Sequence, residues 1–405
     1  MSTASLCCLL SLLLAPAVNG LPAQVDRSEA ERKPAEFEAL FDGSSLDGWS
    51  NPYEWGEAWV QDGEIHLRSD RKFFLTSDRN FADFELEIEV HLPDGKANSG
   101  IMFRCHSRKN NVFGYQAEVD PSGRAWSGGL YDEGRRAWIA PLSGEGKAKQ
   151  RAAYSHDQWN RYRIVCIGDW IRIWVNGVLT TDERDPLDQA GLIALQHHGE
   201  KGKVYRFRNV RLKDLGRHEW RPVFDGTSLD GWGALPGGEW AVEAGAIVGR
   251  STKAEARHGI LLSDDSHSDF TVRLEFQSVA GNSGFYFRSE RIDGSVGVRG
   301  FQAEVEPRVE GTPCLVGGLY ETGGRGWVVK PSPDSVKRYY RPGEWNTMTV
   351  AAHGKRVVVH VNGSKSAELQ ADEGRRRGHF GLQLHGGQDM HVKYRKIELL
   401  AAVEQ

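Results

Sequence analysis

Apolar and polar residues alternate one by one along much of this chain. Phe84, Leu86, Ile88 and Val90 are separated by Glu85, Glu87 and Glu89, the period-2 pattern of a strand with one face in a core and the other in water. A matching run lies at Phe270, Val272, Leu274 and Phe276, with Thr271, Arg273 and Glu275 between them. The apolar face is kept between the two runs and the polar face is not, so the polar face reads as plain solvated surface. Ile171-Arg172-Ile173-Trp174-Val175 leads into Asn176-Gly177, and Val357-Val358-Val359-His360-Val361 leads into Asn362-Gly363. Asn-Gly after such a run predicts a strand and a tight hairpin turn. No stretch carries a sustained helical stripe. Many short strands separated by Gly, Asn and Asp predict an all-β chain whose sheets pack face to face as antiparallel sandwiches.

The paired runs belong to a long internal repeat. Phe41-Asp42-Gly43-Ser44-Ser45-Leu46-Asp47-Gly48-Trp49 returns as Phe224-Asp225-Gly226-Thr227-Ser228-Leu229-Asp230-Gly231-Trp232, identical at eight of nine positions. The copies stay in step. Asn98-Ser99-Gly100 answers to Asn282-Ser283-Gly284, Gly128-Gly129-Leu130-Tyr131 to Gly317-Gly318-Leu319-Tyr320, and Trp159-Asn160 to Trp345-Asn346. The unit far exceeds the ~20–50 residues of solenoid repeats, so it is a whole domain. The expected boundaries are 37–214 and 219–401. The join near Asp214–Glu219 is short, which predicts that the domains touch.

Composition narrows the function. The 405 residues carry a net charge of −4 and no lysine/arginine block, which speaks against nucleic acid, whose binding needs a concentrated basic footprint. Thirteen tryptophans serve cores or form flat platforms for sugar rings. The apolar run Leu6–Ala17 is shorter than the ~20 residues that span a bilayer. With Ala15, Ala17 and Gly20 near a cleavage point it reads as a signal peptide over 1–20, followed by a loose leader over 21–36. Export to the periplasm or the extracellular space is expected, with no membrane span. Cys7 and Cys8 fall in the signal, and Cys105, Cys166 and Cys314 have no counterparts between copies, which excludes a repeated disulfide framework and a CxxC metal site. The motifs of zinc proteases, nucleophile-elbow hydrolases, P-loops and dinucleotide folds are missing. No cofactor is expected, and a divalent metal stays open.

Tyr115-Gln116-Ala117-Glu118-Val119-Asp120 returns as Phe301-Gln302-Ala303-Glu304-Val305-Glu306. As strands, both send the aromatic, Ala and Val inward and put the polar residues on the opposite face. Unlike the Glu85 run, this polar face keeps its kind and order, which marks Gln116, Glu118, Asp120, Gln302, Glu304 and Glu306 as site candidates; an outer salt-bridge ladder fits the same pattern. In the late strand, Ile193 and Leu195 match Phe380 and Leu382 on the core side, while Gln196 and His198 match Gln383 and His385 on the other. His197 aligns with Leu384 and reads as a packed side chain. A histidine titrates near ~6.5 and can give and take protons at neutral pH; a hydrogen-bonded loop-entry histidine is the plainer reading of His198 and His385. Arg104 and Arg288 follow the Asn-Ser-Gly strand starts, where a guanidinium clamps a carboxylate or forms a structural ion pair. Tyr131, Arg136 and Trp138, with Tyr320, Arg325 and Trp327, follow the Gly-Gly pairs and read as a rim loop. Its rings either stack on a sugar or close the sandwich end. Asp-Gly and Trp-Asn read as turns and anchors. The Gln/Glu and Gln/His side chains of two separate strands are expected to converge on one hollow in each half.

In their order and completeness these motifs resemble the 3-keto-disaccharide hydrolase family, over nearly all of residues 37–400 and in both copies. The resemblance implies two tandem concanavalin-like, glucanase-type jelly rolls that cleave a glycoside whose sugar carries a ketone at C3. Such a ketone acidifies the C2 proton; a base removes it, an acid protonates the leaving oxygen at C1, and water completes the break. Under that chemistry Glu118, Glu304, His198 and His385 take acid–base duty, and Arg104, Arg288, Gln116 or Gln302 orients the substrate. Asp120, Tyr131, Arg136, Trp138, Gln196, Glu306, Tyr320, Arg325, Trp327 and Gln383 then contact an oligosaccharide or glycoside. Two other readings stay open. Glu118 and Asp120 stand roughly 6–7 Å apart by strand rise, near the ~6.5–9.5 Å of inverting glycosidase pairs, although on one side of a bound sugar. The aromatic platform also suits a non-catalytic carbohydrate-binding module. The oligomeric state is not legible.

Overall fold

The computed structural model describes residues 35–307 and 311–403. The expected signal peptide lies outside the described residues, as do all but two residues of the expected leader. Over the described residues the alternation resolves into four antiparallel sheets, two per repeat. In the first repeat Asp83–His91 lies at the middle of an eight-stranded sheet, between Asn160–Ile167 and Val204–Gly216. The facing seven-stranded sheet runs Ala137–Ala140, Leu130–Glu133, Asn111–Val119, Ser99–Arg108, Leu192–His197, Phe73–Ser77, Trp49–Ser50. The second repeat has the same order: Gly326–Val329, Leu319–Thr322, Val298–Val305, Ser283–Arg291, Gly378–Leu384, Gly259–His267, Trp232–Ala234. The fold is all-β, two tandem concanavalin-like jelly-roll sandwiches.

The core follows from the alternation. Phe84, Leu86, Ile88 and Val90 face Ile101, Phe103, Tyr115, Ala117 and Val119 across the first sandwich, each at most 1 % exposed. Phe270, Val272, Leu274 and Phe276 do the same against Phe285, Phe287, Phe301, Ala303 and Val305. Burying each large side chain stabilises the fold by about 1.5–3 kcal/mol. The repeated turn motifs are structural. Asp42 accepts from the Ser44 and Ser45 amides, and Asp225 from those of Thr227 and Ser228. Asn176 and Asn362 both adopt φ 48° before glycines at 81° and 76°, the left-handed pair a two-residue hairpin needs. Asn160 and Asn346 then tie those turns to the preceding loops.

The Glu85 face is more than plain solvated surface. Glu85 pairs with Arg163, Glu87 with Arg161 and Arg211, and Glu89 with Arg208 at 2.7 Å. In the second repeat Glu275 takes Arg395 and Lys396, both at 2.7 Å, and Arg273 takes Glu398 at 2.6 Å. Each ladder crosses neighbouring strands, which is why the residue types drift while opposite charges persist. The two sandwiches meet through charged side chains. Arg356 reaches Asp182 and Glu183, Lys365 reaches Glu183, and Arg136 donates to the Gly363 carbonyl at 3.0 Å. His218, on the strand that joins the second domain, pairs with Asp83 of the first.

Candidate functional site

Each seven-stranded sheet has a core face and an open face, and the open face is a cleft. Its floor is set by the Asn-Ser-Gly motif. Asn98 Nδ2 donates to Glu118 Oε1 at 2.9 Å; Ser99 Oγ stitches to the Gln196 carbonyl at 2.7 Å. Gly100 lies opposite Glu118, and a Cβ there would stand 2.2 Å from Gln116 Cδ. The glycine is therefore the space in which the glutamine lies. The second copy repeats the arrangement: Asn282 bonds Glu304, Ser283 Oγ donates to the Gln383 carbonyl at 2.6 Å, and a Cβ on Gly284 would meet Gln302 Nε2 at 2.3 Å. Gly284→Ala is expected to swing Gln302 off Glu304 and Gln383, and to weaken disaccharide binding roughly tenfold with the fold intact. Calorimetric titration checks it; unchanged affinity would mean that Gln302 does not touch the ligand.

The two strands named by the repeat do converge. Gln116, Glu118, Asp120, Gln196, His198, Tyr131 and Trp138 line the first cleft, of about 440 Å³. Gln302, Glu304, Glu306, Gln383, His385, Tyr320 and Trp327 line the second, of about 980 Å³. The rim rings meet edge to face, Tyr131 with Trp138 at 5.0 Å and Tyr320 with Trp327 at 5.3 Å. The floor is buried rather than solvated, with Gln116, Glu118 and Asp120 at 2–4 % exposure. His198 stands out in solvent beside Glu200, at 3.1 Å. His197 is packed between Phe73 and Tyr205.

All four predicted arginines lie elsewhere. Arg104 and Arg288 sit at strand irregularities with φ of 43° and 47°. The extra residue takes the guanidinium off the cleft face and drives it into loops at the sandwich end. Arg104 is wholly buried; it donates to the carbonyls of Ala82 at 2.7 Å, Gly168 at 2.6 Å and Asp188 at 3.1 Å, and to Asp83 at 3.0 Å. Arg288 gathers the carbonyls of Ser268, Gly354 and Arg375 in the same way. Arg136 is held by Asp132 and Asp185 at the domain junction, and Arg325 by Glu321 and Asp372. A buried guanidinium must find several acceptors, and loop carbonyls supply them where the cleft does not.

The shared glutamates sit in unlike surroundings. Arg124 crosses the first cleft, bonding Glu118 at 2.9 Å and Asp120 at 2.7 Å. Burial pushes the Glu118 carboxyl up, against the pull of Asn98, Gln116 and Arg124. Burial acts the same way on Asp120, but bonds from Ser122 and Arg124 outweigh it and leave that carboxyl below the usual range. Among the described residues no arginine or lysine contacts Glu304, which is 3 % exposed. Burial lifts it to about 8, with Glu306 adding to the rise and the Asn282 hydrogen bond opposing it. His258, 4.3 Å from His385 between ring centres, accepts from Gln383 Nε2 at 3.0 Å. Burial and then His385 depress it to about 4, so it is neutral in ordinary buffers. His385 donates from Nδ1 to the Gly386 carbonyl at 2.8 Å.

Sequence reasoning missed Asn98 and Asn282 as site residues, although their repetition was a signal. It also missed Arg124 and His258, for which no repetition existed: strand pairing puts Lys72 of the first copy where the second has His258. Among the described residues no cluster of three or more His, Cys, Asp or Glu is placed to hold a metal ion, and no helix is long and apolar enough to cross a membrane.

Two jelly rolls whose open sheets carry carboxylates, amides and aromatic rings define a carbohydrate-active protein. The chain belongs to the family of the 3-keto-alpha-glucoside-1,2-lyase-like domain, whose model matches residues 36–213 and again 219–400. Similar solved structures include a protein of unknown function with a galectin-like fold from Bacillus subtilis, at 14 % identity over 46 % of this chain and 96 % of that one, TM-score 0.36. The carbohydrate-binding module CBM66 from Bacillus subtilis matches at 18 % identity over 41 % and 96 %, TM-score 0.33. The kappa-carrageenase from Pseudoalteromonas carrageenovora matches at 11 % over 46 % and 96 %, TM-score 0.31. No curated protein matches the chain.

Proposed function

We propose that this protein is an exported enzyme that cleaves the glycosidic bond of 3-keto-glycosides, by removal of the C2 proton, expulsion of the C1 substituent and addition of water. The observation that carries the reading is Glu304: a carboxyl at 3 % exposure on the floor of a large cleft that His258 and His385 also line. Elimination needs an acid for the leaving oxygen and a base for C2–H. Glu304 holds a proton at neutral pH and both its oxygens already accept from amides, Asn282 and Gln302. Neither amide can take that proton, so a leaving oxygen in the cleft is its natural acceptor. His385 Nε2 is the base. The C2–H pair becomes the C1–C2 double bond as the C1–O bond breaks, and water then adds across it. Gln302 and Gln383, bonded to each other at 3.1 Å, orient the sugar, and Tyr320 and Trp327 form its platform.

An ordinary inverting glycosidase fits less well. Glu304 and Glu306 lie on one strand face, and Asp389, the other carboxylate lining the cleft among the described residues, is held by the Lys253 amide at 3.0 Å. The test is a side-by-side incubation with a 3-keto disaccharide and its unoxidised parent. Release from the keto sugar alone, by at least about a hundredfold in rate, is expected. Equal release from the parent would move the assignment to a glycosidase, and release from neither to a binding protein.

A further inference from the structure

The two clefts share a scaffold, and their differences surround the shared glutamate. In the first, the Arg124 guanidinium ties Glu118 and Asp120 together and lies over the Trp126 and Trp138 rings, at 4.9 and 5.1 Å. That ion pair opposes the rise burial gives the Glu118 carboxyl, whereas Glu304 has no contacting cation to oppose it among the described residues. Lys72 and Glu133 form a second ion pair beside it, where the other domain has His258 and Thr322. The second cleft is twice as large and lacks any such clamp on Glu304 among the described residues.

A second difference points to a ligand. In the second cleft Gln302 Nε2 donates to Gln383 Oε1 at 3.1 Å, so the Gln383 oxygen has its partner. In the first, Gln116 Oε1 and Gln196 Oε1 are buried without a hydrogen-bond partner, on side chains 2 % and 1 % exposed that line the cleft. A buried acceptor left unmade costs about 1–3 kcal/mol. Two such oxygens beside the Tyr131 and Trp138 rings suit donors on a flat, partly apolar molecule, which is the chemistry of sugar hydroxyls. The cleft lining carries three basic side chains, Lys72, Lys96 and Arg124, and three carboxylates, Glu118, Asp120 and Glu133, so its charges balance and do not select an acidic sugar.

We infer that the two domains divide the work: the second cleaves, and the first holds a neutral sugar unit through Gln116 and Gln196 without acting on it. The catalytic half rests on the function proposed above, and the binding half does not. The test uses the full chain with Glu304→Gln, a near-isosteric change. Turnover of the 3-keto disaccharide is expected to fall below about 1 % of wild type. Retention of about half would show that both domains cut, and full retention that the first one does. Calorimetric titration of the same variant with the unoxidised disaccharide is expected to keep a site that weakens at least tenfold when Gln196→Leu or Trp138→Ala is added, with an unchanged melting profile. Binding indifferent to both changes would overturn the binding half. A wild-type chain that cleaves neither sugar would end the functional reading and the catalytic half together, while the titration still decides whether the first cleft holds sugar.

Discussion

Under the proposed chemistry, turnover of a 3-keto glycoside is expected to fall as the pH rises through about 8, the value to which burial lifts the Glu304 carboxyl. An acid must hold its proton to work, so the rate drops about tenfold per unit beyond that midpoint. The same shift appears in stability. Glu304 titrates higher in the folded chain than its ordinary 4.5, so folding favours the protonated form. Its contribution is full below about pH 4.5 and is lost as the pH rises through about 8. The wild-type chain therefore loses stability across that window. Glu304→Gln does not, and gains on wild type at about pH 9 by up to a few kcal/mol. A pH–rate profile and scanning calorimetry of both chains check the two effects. A rate that stays flat across about pH 7–9, or a melting gap that ignores pH, would take the acid's role away from Glu304.

Arg104→Met is expected to destabilise the first domain by about 3–5 kcal/mol, because it breaks a buried ion pair and strands its acceptors. Asp83 loses a partner, and the carbonyls of Ala82, Gly168 and Asp188 lose donors in a region without solvent. For a domain of this size the melting temperature drops by roughly 10 °C. Asp83 also holds the Gly168 amide at 2.9 Å and His218 of the joining strand, so the loss extends to the domain junction. Thermal unfolding measures it directly. A variant that melts like wild type but loses turnover would return Arg104 to the substrate, against the geometry seen here.

The sandwiches were legible because they rest on alternation and on repetition. Phe84 to Val90 and Tyr115 to Val119 announced their inward faces, and a period of two leaves a strand no other way to bury them. The cleft floor was legible for a related reason: a face that packs against nothing keeps its chemistry only under another demand, and Gln116 with Glu118 matched Gln302 with Glu304. The arginines were misplaced because the residue at φ 43° or 47° in each strand breaks the count. A left-handed arginine costs about 1–2 kcal/mol, and only the ring of loop carbonyls around it makes that conformation stable. Arg136 and Arg325 were misplaced because their partners, Asp185 and Asp372, are distant in the chain.

By itself the sequence determined the two copies, the strand faces and the residue types on each cleft floor, since these follow from local periodicity and from comparing the chain with itself. Only the tertiary structure decided which charges meet. It brought Arg124 onto Glu118, left Glu304 without a contacting cation among the described residues, and set His258 against His385. The reason is physical: the proton affinity of a buried carboxyl is set by desolvation and by neighbours within a few ångströms, and those neighbours arrive from loops and strands whose sequence positions carry no repeating pattern.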